Sequence, residues 1–429
     1  MNTKVLPGFQ ELLPNEQLEF NRIKRIIEDA YLTYGYRPIE TPVLERAEVL
    51  LSKSGGETEK QIYQFEKGDT KLAMRFDLTV PLARYVAQHQ NDLVFPFKRY
   101  AIDKVYRGEK PQAGRFREFY QCDIDVIGRD TLPLEYDAQI PLIISEIFTN
   151  LKLDFTIRIN NRKILNGFLQ SLGLKDIAII LNILDGIERE GEGNIKKELI
   201  EINVDAKTIK EIFTFIQLNK LNNSKLIKAL KDYEINSDMY KEGVGELSFV
   251  YKKMKEMGIK EKNCKIDLSV VRGLDYYTGT VYETTLNKYP EIGSVCSGGR
   301  YDDLASYYTS NKFPGVGISI GLTRLFDQLL RRGAIDTAIQ TNTKVLVISL
   351  CDDDDYINTL LEKFQESNIA MELGVGDLKK NMTYANRLKI PYVVIIGEDE
   401  IKAKKYTIKD MDTGKQQKKT LKGILGILC

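Results

Sequence analysis

The chain holds a single histidine, His89, among its 429 residues. That one count excludes a Ser/His/Asp triad with a histidine to spare and every multi-histidine metal site. His89 itself follows PLARYVAQ, where the spacing predicts the end of a helix, and a surface position is the plain reading of it. Cysteine is scarce as well. The five (Cys122, Cys264, Cys296, Cys351 and Cys429) stand far apart with no paired spacing, which excludes a disulfide framework and a zinc ribbon. No apolar run is long enough to span a bilayer. The first residues, MNTKVLPGFQELLP, hold no apolar stretch of the secretory kind, so a cytoplasmic home is expected. An excess of one charge is also missing: 62 Lys and Arg face 61 Asp and Glu, a net of +1. Any nucleic acid must therefore be met by local basic patches. The chemistry is left to arginines, carboxylates, tyrosines and bound metal.

What is present is a soluble composition, 43% hydrophobic and 29% charged, on a chain long enough for two or three domains. Residues 15–34 carry apolar positions at helical spacing. Strand-like runs follow in TKLAMRF, FPFKRYAIDKVYRGE and REFYQCDIDVIG, with a helix, TVPLARYVAQ, between the first two. Short connections predict antiparallel pairing. From about 161 to 257 the sequence turns to Leu, Ile, Lys, Glu and Asn at helical spacing without a reactive cluster, which predicts a helical insertion. Strand character returns in CKIDLSVVRGLDYYTGTVYETTL, GSVCSGGRYDDLASYY and GVGISIGLTRLFDQLLRR. After a polar linker at 331–342, KVLVISL, IAMELGV and PYVVIIG alternate with helices, the rhythm of an α/β domain over 343–429. A basic hairpin is expected from Ile401 to Lys422.

Three stretches carry chemistry. In a strand, alternate residues share a face, so Arg115, Arg117, Phe119, Gln121, Asp123 and Asp125 are expected to point together. That face reads either as a ruler for a polyanion at one end and an amine at the other, or as a solvated strand of alternating charge. In AMRFDLTVPLARY, Asp77 and Thr79 form a polar pair beside a helix start, and Thr79 reads equally as an N-cap with Pro81 early in the helix. In VVRGLDYYTGTVYE, Gly273 and Gly279 interrupt a β-prone run, so something polar is expected to approach its backbone. The glycines of GVGISIGLTRLF miss the dinucleotide fingerprint by one residue.

These stretches resemble a known family. YRPIETPVLERAEVL is similar to the first signature motif of class II aminoacyl-tRNA synthetases, RYAIDKVYRGE with RFREFYQ to the second, and GVGISIGLTRLF to the third. VRGLDYYTGTVYE and GSVCSGGRYDDL resemble the two motifs of the histidyl-tRNA synthetases. The resemblance runs the whole length. It implies an α+β catalytic domain over 1–330, an antiparallel sheet flanked by helices, and a C-terminal α/β anticodon-binding domain. It implies activation of histidine by ATP with Mg²⁺, transfer to tRNA(His), and a homodimer with Pro42 at the interface. The alternative is a non-catalytic paralogue, the regulatory subunit of an ATP phosphoribosyltransferase.

The roles carried by the resemblance are these. Arg107 and Arg272 hold the α-phosphate, Glu109 the adenine amino group, and Phe119 the adenine face. Arg115 and Arg324 clamp the outer phosphates. Asp77, Thr79, Gln121 and Asp125 receive the amino and ring groups of histidine, and Tyr276, Tyr277 and Tyr301 shape the imidazole pocket. Tyr276 and Tyr277 also read as one core and one exposed residue, since strand neighbours face opposite sides. Gln112 is the tRNA contact on the loop GEKPQAGR. The hairpin lysines meet phosphates or simply guard a sheet edge. RFDLT has Asp where many bacterial relatives have Glu.

Overall fold

The computed structural model describes residues 3–51, 57–112, 114–271, 277–302, 305–351, 354–374 and 376–429. The chain forms two compact units: Met1–Gln10 with Ile23–Arg331, and Glu11–Arg22 with Arg332–Cys429.

The first unit is organised by an eight-stranded sheet. Across it lie Arg37–Pro38, Phe97–Tyr106, Glu118–Ile127, Gly315–Gly321, Ser294–Tyr301, Thr280–Leu286, Phe155–Asn161 and Cys264–Ile266. The interior pairings are antiparallel and the outermost pair on each side is parallel. Strand Glu118–Ile127 sets the division of the molecule. Cys122, Ile124 and Val126 are fully buried, and the alternating residues Gln121, Asp123 and Asp125 face the other way. The apolar face is covered by helices. Tyr31, on the helix Pro14–Thr33, donates its hydroxyl to the Cys122 carbonyl at 3.0 Å, and Glu135–Asn150 buries Ile140, Ile143, Ile144 and Ile147. Ile23, Ile27, Ala30 and Tyr31 form the inner stripe of the first helix at its 3.6-residue period.

TKLAM forms a strand, Thr70–Met74, but it lies outside the main sheet. It pairs with Leu44–Arg46 and Gln64–Lys67 in a separate three-stranded sheet. Likewise VVRGLDYYTGTVYE is not one strand: the described strand starts only at Thr280. From Arg162 to Glu256 every described element is helical. Helix Arg162–Ser171 is capped by the Asn161 side chain, which accepts from the Lys163 amide. Two glycines let it lie close against Asp238–Glu256. A Cβ on Gly167 would stand 2.6 Å from the Tyr240 nitrogen, and one on Gly243 would stand 2.8 Å from the Ile164 nitrogen.

The second unit holds a five-stranded sheet in the order Met371–Gly374, Val345–Ser349, Tyr392–Ile396, Tyr406–Asp410, Gln416–Lys419. The first three strands are parallel and the last two antiparallel. Val345 and Val347 join one apolar cluster with Leu360 and Phe364. Leu346 and Ile348 join another with Ala385 and Ile390. Alternation along one strand thus feeds two covered faces, the α/β pattern. The expected hairpin from Ile401 to Lys422 is shorter than its lysine run: Ile401 lies in a helix, Glu398–Ala403, and Lys422 in another, Leu421–Leu428. No described helix is long and apolar enough to cross a membrane.

Candidate active site

Strands Phe97–Tyr106 and Glu118–Ile127 pair antiparallel, with Ala101 opposite Asp123 and Tyr106 opposite Glu118. Arg107 leaves the end of the first. Its Nε donates to the Phe76 carbonyl at 3.0 Å and its guanidinium lies 5.2 Å over the Phe119 ring. The expected face of six residues is shorter than the sequence suggests, because the second strand starts at Glu118. Arg115 and Arg117 belong to the loop before it, where Gly114 has φ +74°. Arg115 stays on the rim, 3.5 Å from Glu109. Arg117 turns away: its Nε donates to the Glu109 carbonyl at 3.1 Å, and a Cβ on Gly8 would meet its stem at 2.8 Å. Gln112 is exposed, and its backbone closes the loop on Arg115.

A cavity of about 480 Å³ opens here, lined among others by Asp77, Arg107, Glu109, Arg115, Phe119, Gln121 and Arg324. A recess of about 20 Å³ adjoins it, lined by Asp125, Tyr301, Gly317 and Ile318. Thr79, Asp123, Tyr277 and Ser319 line both. Arg324 is held on the rim by donating Nη2 to the Ile292 carbonyl.

The recess is built by an ion pair, a tyrosine and three glycines. Arg99, fully buried, meets Asp125 Oδ2 at 2.5 Å. Tyr301 donates its hydroxyl to Asp125 Oδ1 at 2.9 Å. Burial raises the Asp125 carboxyl above its ordinary range, and Arg99 and the Tyr301 hydrogen bond oppose it. A Cβ on Gly317 would fall 2.0 Å from Asp125 Oδ1, one on Gly315 2.3 Å from the Tyr301 ring, and one on Gly299 2.8 Å from the Tyr277 ring. The glycines of GVGISIG and SGGRYD therefore make room for neighbouring side chains. Gly279 does the same for the Arg300 stem, at 3.0 Å. Arg272, Gly273 and Tyr276 lie outside the described residues.

The capping role at the helix Thr79–His89 falls to Asp77. Its Oδ1 accepts from the Thr79 amide at 3.2 Å and from the Val80 amide at 3.0 Å. Thr79 is left to the cavity wall. Asp77 Oδ2, Gln121 Oε1 and Asp123 Oδ1 are buried acceptors with no hydrogen-bond partner. Burial raises Asp77, against its two amide hydrogen bonds, Arg107 and Arg99. His89 ends its helix, half exposed, 3.7 Å from Asp92.

Some contributors were not singled out by sequence. Arg99 reads there as one more strand arginine, and only pairing across strands sets it on Asp125. Ser319 stands within GVGISIGLTRLF without a role read for it, and its Oγ accepts from Gln121 Nε2 at 2.9 Å. Asp185 reaches the cavity wall from the helical insertion, where no reactive cluster was read. Asp123 is legible only as one member of the polar face it shares with Gln121 and Asp125, with no role of its own.

A mostly antiparallel sheet with this rim of arginines is the catalytic fold of a class II aminoacyl-tRNA synthetase. The profile of histidyl-tRNA synthetases matches residues 8–325, and that of the anticodon binding domain matches residues 344–428. The chain is 53% identical to the histidine–tRNA ligase of Clostridium tetani, over 99% of this chain and 97% of that one. It is 44% identical to the histidine–tRNA ligase of Finegoldia magna, over 96% of each. The crystal structure of histidyl-tRNA synthetase from Nostoc sp. PCC 7120 superposes with a TM-score of 0.89 at 39% identity, covering 100% of this chain and 99% of that one. The chain belongs to the histidyl-tRNA synthetase family.

Proposed function

We propose that the protein is a histidine–tRNA ligase that forms histidyl-adenylate from histidine and ATP and passes the histidyl group to the 3′ end of tRNA(His). One observation carries this reading. An arginine-rimmed cavity of nucleotide size adjoins a small recess floored by Asp125 and walled by tyrosines. Arginine forks suit phosphate oxygens, and a buried carboxylate with a tyrosine hydroxyl suits an imidazole.

In the first step a histidine carboxylate oxygen attacks the α-phosphorus of ATP, and the bond to pyrophosphate breaks. Arg107 and Arg272 are assigned to the α-phosphate, where charge develops. Phe119 offers its ring to the adenine and Glu109 accepts from the adenine amino group. Arg115 and Arg324 are assigned to the outer phosphates. The Glu109 to Arg115 contact is long and half exposed, so releasing both for these roles costs little. Asp77, Thr79, Gln121 and Asp125 receive the α-amino and ring groups of histidine between them, and Tyr276, Tyr277 and Tyr301 shape the imidazole pocket. A carboxylate is already a nucleophile, so no histidine of the enzyme is needed. In the second step the terminal ribose hydroxyl of the tRNA attacks the activated carbonyl and AMP leaves.

Mg²⁺ is expected with the nucleotide, where it neutralises phosphate charge. Among the described residues no group of three His, Cys, Asp or Glu side chains is arranged to hold a metal, so the phosphates and water would supply most of its ligands. Residues 1–330 are assigned to catalysis, 161–257 to an insertion, 331–342 to a linker and 343–429 to the anticodon. Gln112 and the lysines around Tyr406–Asp410 are the assigned tRNA contacts. Two copies with Pro42 at their seam, working in the cytoplasm, complete the reading.

The test is ATP–pyrophosphate exchange with histidine set against proline, threonine and glycine, repeated with Arg272→Ala. Exchange with histidine alone, lost by a hundredfold or more in the variant, is expected. Exchange with none of the four would move the reading to a regulatory subunit.

A further inference from the structure

An α-amino acid being adenylated has its carboxylate at the α-phosphate and its side chain in a specificity pocket. Its ammonium group must therefore lie where those two spaces meet. In this protein that meeting place is marked by the residues common to the cavity and the recess, Asp123 among them. Asp123 is 3% exposed. It stands between two small residues, Ala101 on one neighbouring strand and Ser319 on the other, and it lines both spaces. Its Oδ1 is buried with no partner, as are Asp77 Oδ2 and Gln121 Oε1 on the same cavity wall. An ammonium has three protons and no acceptor, and unmet buried acceptors are rare in folded proteins. We propose that Asp123 is the third acceptor for the substrate's α-ammonium group, beside Asp77 and Gln121, and so a determinant of amino-acid affinity. This rests on the histidine-activation reading above.

The charges around Asp123 add a pH signature. Arg99 faces it from strand Phe97–Tyr106, Asp125 from its own strand and Asp77 from the helix start. Tyr31, Cys122 and Cys296 are also near, and burial pushes all three up, so they stay neutral at physiological pH. Burial pushes the Asp123 carboxyl up to about 7; Asp125 and Asp77 add to this, and Arg99 and a hydrogen bond from Ser319 oppose it. A bound ammonium favours the ionised form. Amino-acid binding then releases a proton near neutrality and tightens as the pH rises through that range.

The experiment is histidine-dependent ATP–pyrophosphate exchange by wild type and Asp123→Asn from pH 6 to pH 8. The variant should raise the histidine KM and leave the ATP KM unchanged. The ratio of variant to wild-type histidine KM should grow about tenfold over the range, following the ionised fraction of a group titrating near 7. The imidazole of histidine titrates equally in both proteins and cancels in the ratio. Affinity for histidinol, which keeps the amine, should fall in the variant, and affinity for 3-(imidazol-4-yl)propionate, which lacks it, should hold. A flat ratio, or equal losses for both ligands, overturns the proposal. Should the variant not fold, calorimetry on wild type decides in two buffers of different ionisation enthalpy. At pH 7, after subtraction of each ligand's own imidazole titration, histidinol should release about half a proton more than the amine-free ligand, and equal release overturns the proposal. Wild type without any histidine-dependent exchange would instead sink the ligase reading itself.

Discussion

Tyr301 donates its hydroxyl to Asp125 Oδ1 across 2.9 Å, and it reaches that position only because Gly315 beneath its ring has no side chain. The pair ties the floor of the recess to its wall. Replacing Tyr301 with Phe leaves a buried carboxylate oxygen short of a donor, at a cost of about 1–3 kcal/mol. The hydrogen bond favours the ionised carboxyl, so its loss raises an Asp125 already held high by burial. Activity of Tyr301→Phe should therefore fall first on the acid side. An exchange-rate profile against pH, shifted upward on its acid limb relative to wild type, is the expected record.

Gly317→Ala should be worse than its size suggests. The added methyl would sit 2.0 Å from Asp125 Oδ1 and 2.7 Å from the Ile124 carbonyl. Neither can yield without breaking a strand pairing or the Arg99 contact. Overpacking of this kind costs about 1–3 kcal/mol, and the histidine KM should rise with a lowered melting temperature. Gly333→Ala has open space around it but a φ of +60°, so it should lose stability without touching KM.

Asp123 predicts a stability effect opposite to its functional one. Its folded carboxyl titrates near 7, well above an unfolded aspartate, so the folded chain holds the proton more tightly. That contribution is full below about pH 4 and is lost as the pH rises through 7. Asp123→Asn removes the loss. Its stability relative to wild type should grow by about 2–3 kcal/mol between pH 5 and pH 8, measured by denaturant unfolding at each pH.

Arg158 is a buried hub of charge away from the cavity. It meets Asp267 and Glu283 at 3.0 Å each and pairs with Glu188 of the insertion. Desolvation lowers its pKa, but these carboxylates more than offset that and the net shift is upward. Arg158→Met removes the guanidinium shared by Asp267 and Glu283, with Lys265, at 3.1 Å from Asp267, the cation that stays, a loss of about 3 kcal/mol. A thermal shift of that size, with parallel loss of exchange, is expected.

For the second unit, the lysines are the handle. Lys418 is engaged by Glu400 at 2.9 Å, whereas Lys404 and Lys415 are exposed. Replacing both of these with Ala should raise the tRNA KM and flatten its salt dependence by about one unit of slope per lost phosphate contact. Histidine-dependent exchange without tRNA should be unchanged.

The helix Pro14–Thr33 and the strands of the second unit were legible because burial imposes a period on the sequence, 3.6 or 2 residues, that needs no partner to be read. VVRGLDYYTGTVYE was not, since β-propensity reports fit to a half-buried pleat and says little about where pairing starts. Alternation alone puts Arg115 and Arg117 on a strand. The turn at Gly114 and the start of pairing at Glu118 leave both in the loop before it. Asp77 and Thr79 read as a pair in the sequence, but which of them caps the helix depends on which side chain reaches the amides.

The order of elements, the lack of histidine chemistry and the presence of arginine, tyrosine and acid in motif-like runs were set by the sequence alone. The recess was decided by register. Gly317 meets Asp125, and Gly315 meets the Tyr301 ring, because antiparallel strands distant in the chain align residue to residue. A slip of one position would turn every side chain to the other face, and no spacing along a single strand encodes which partner it will find.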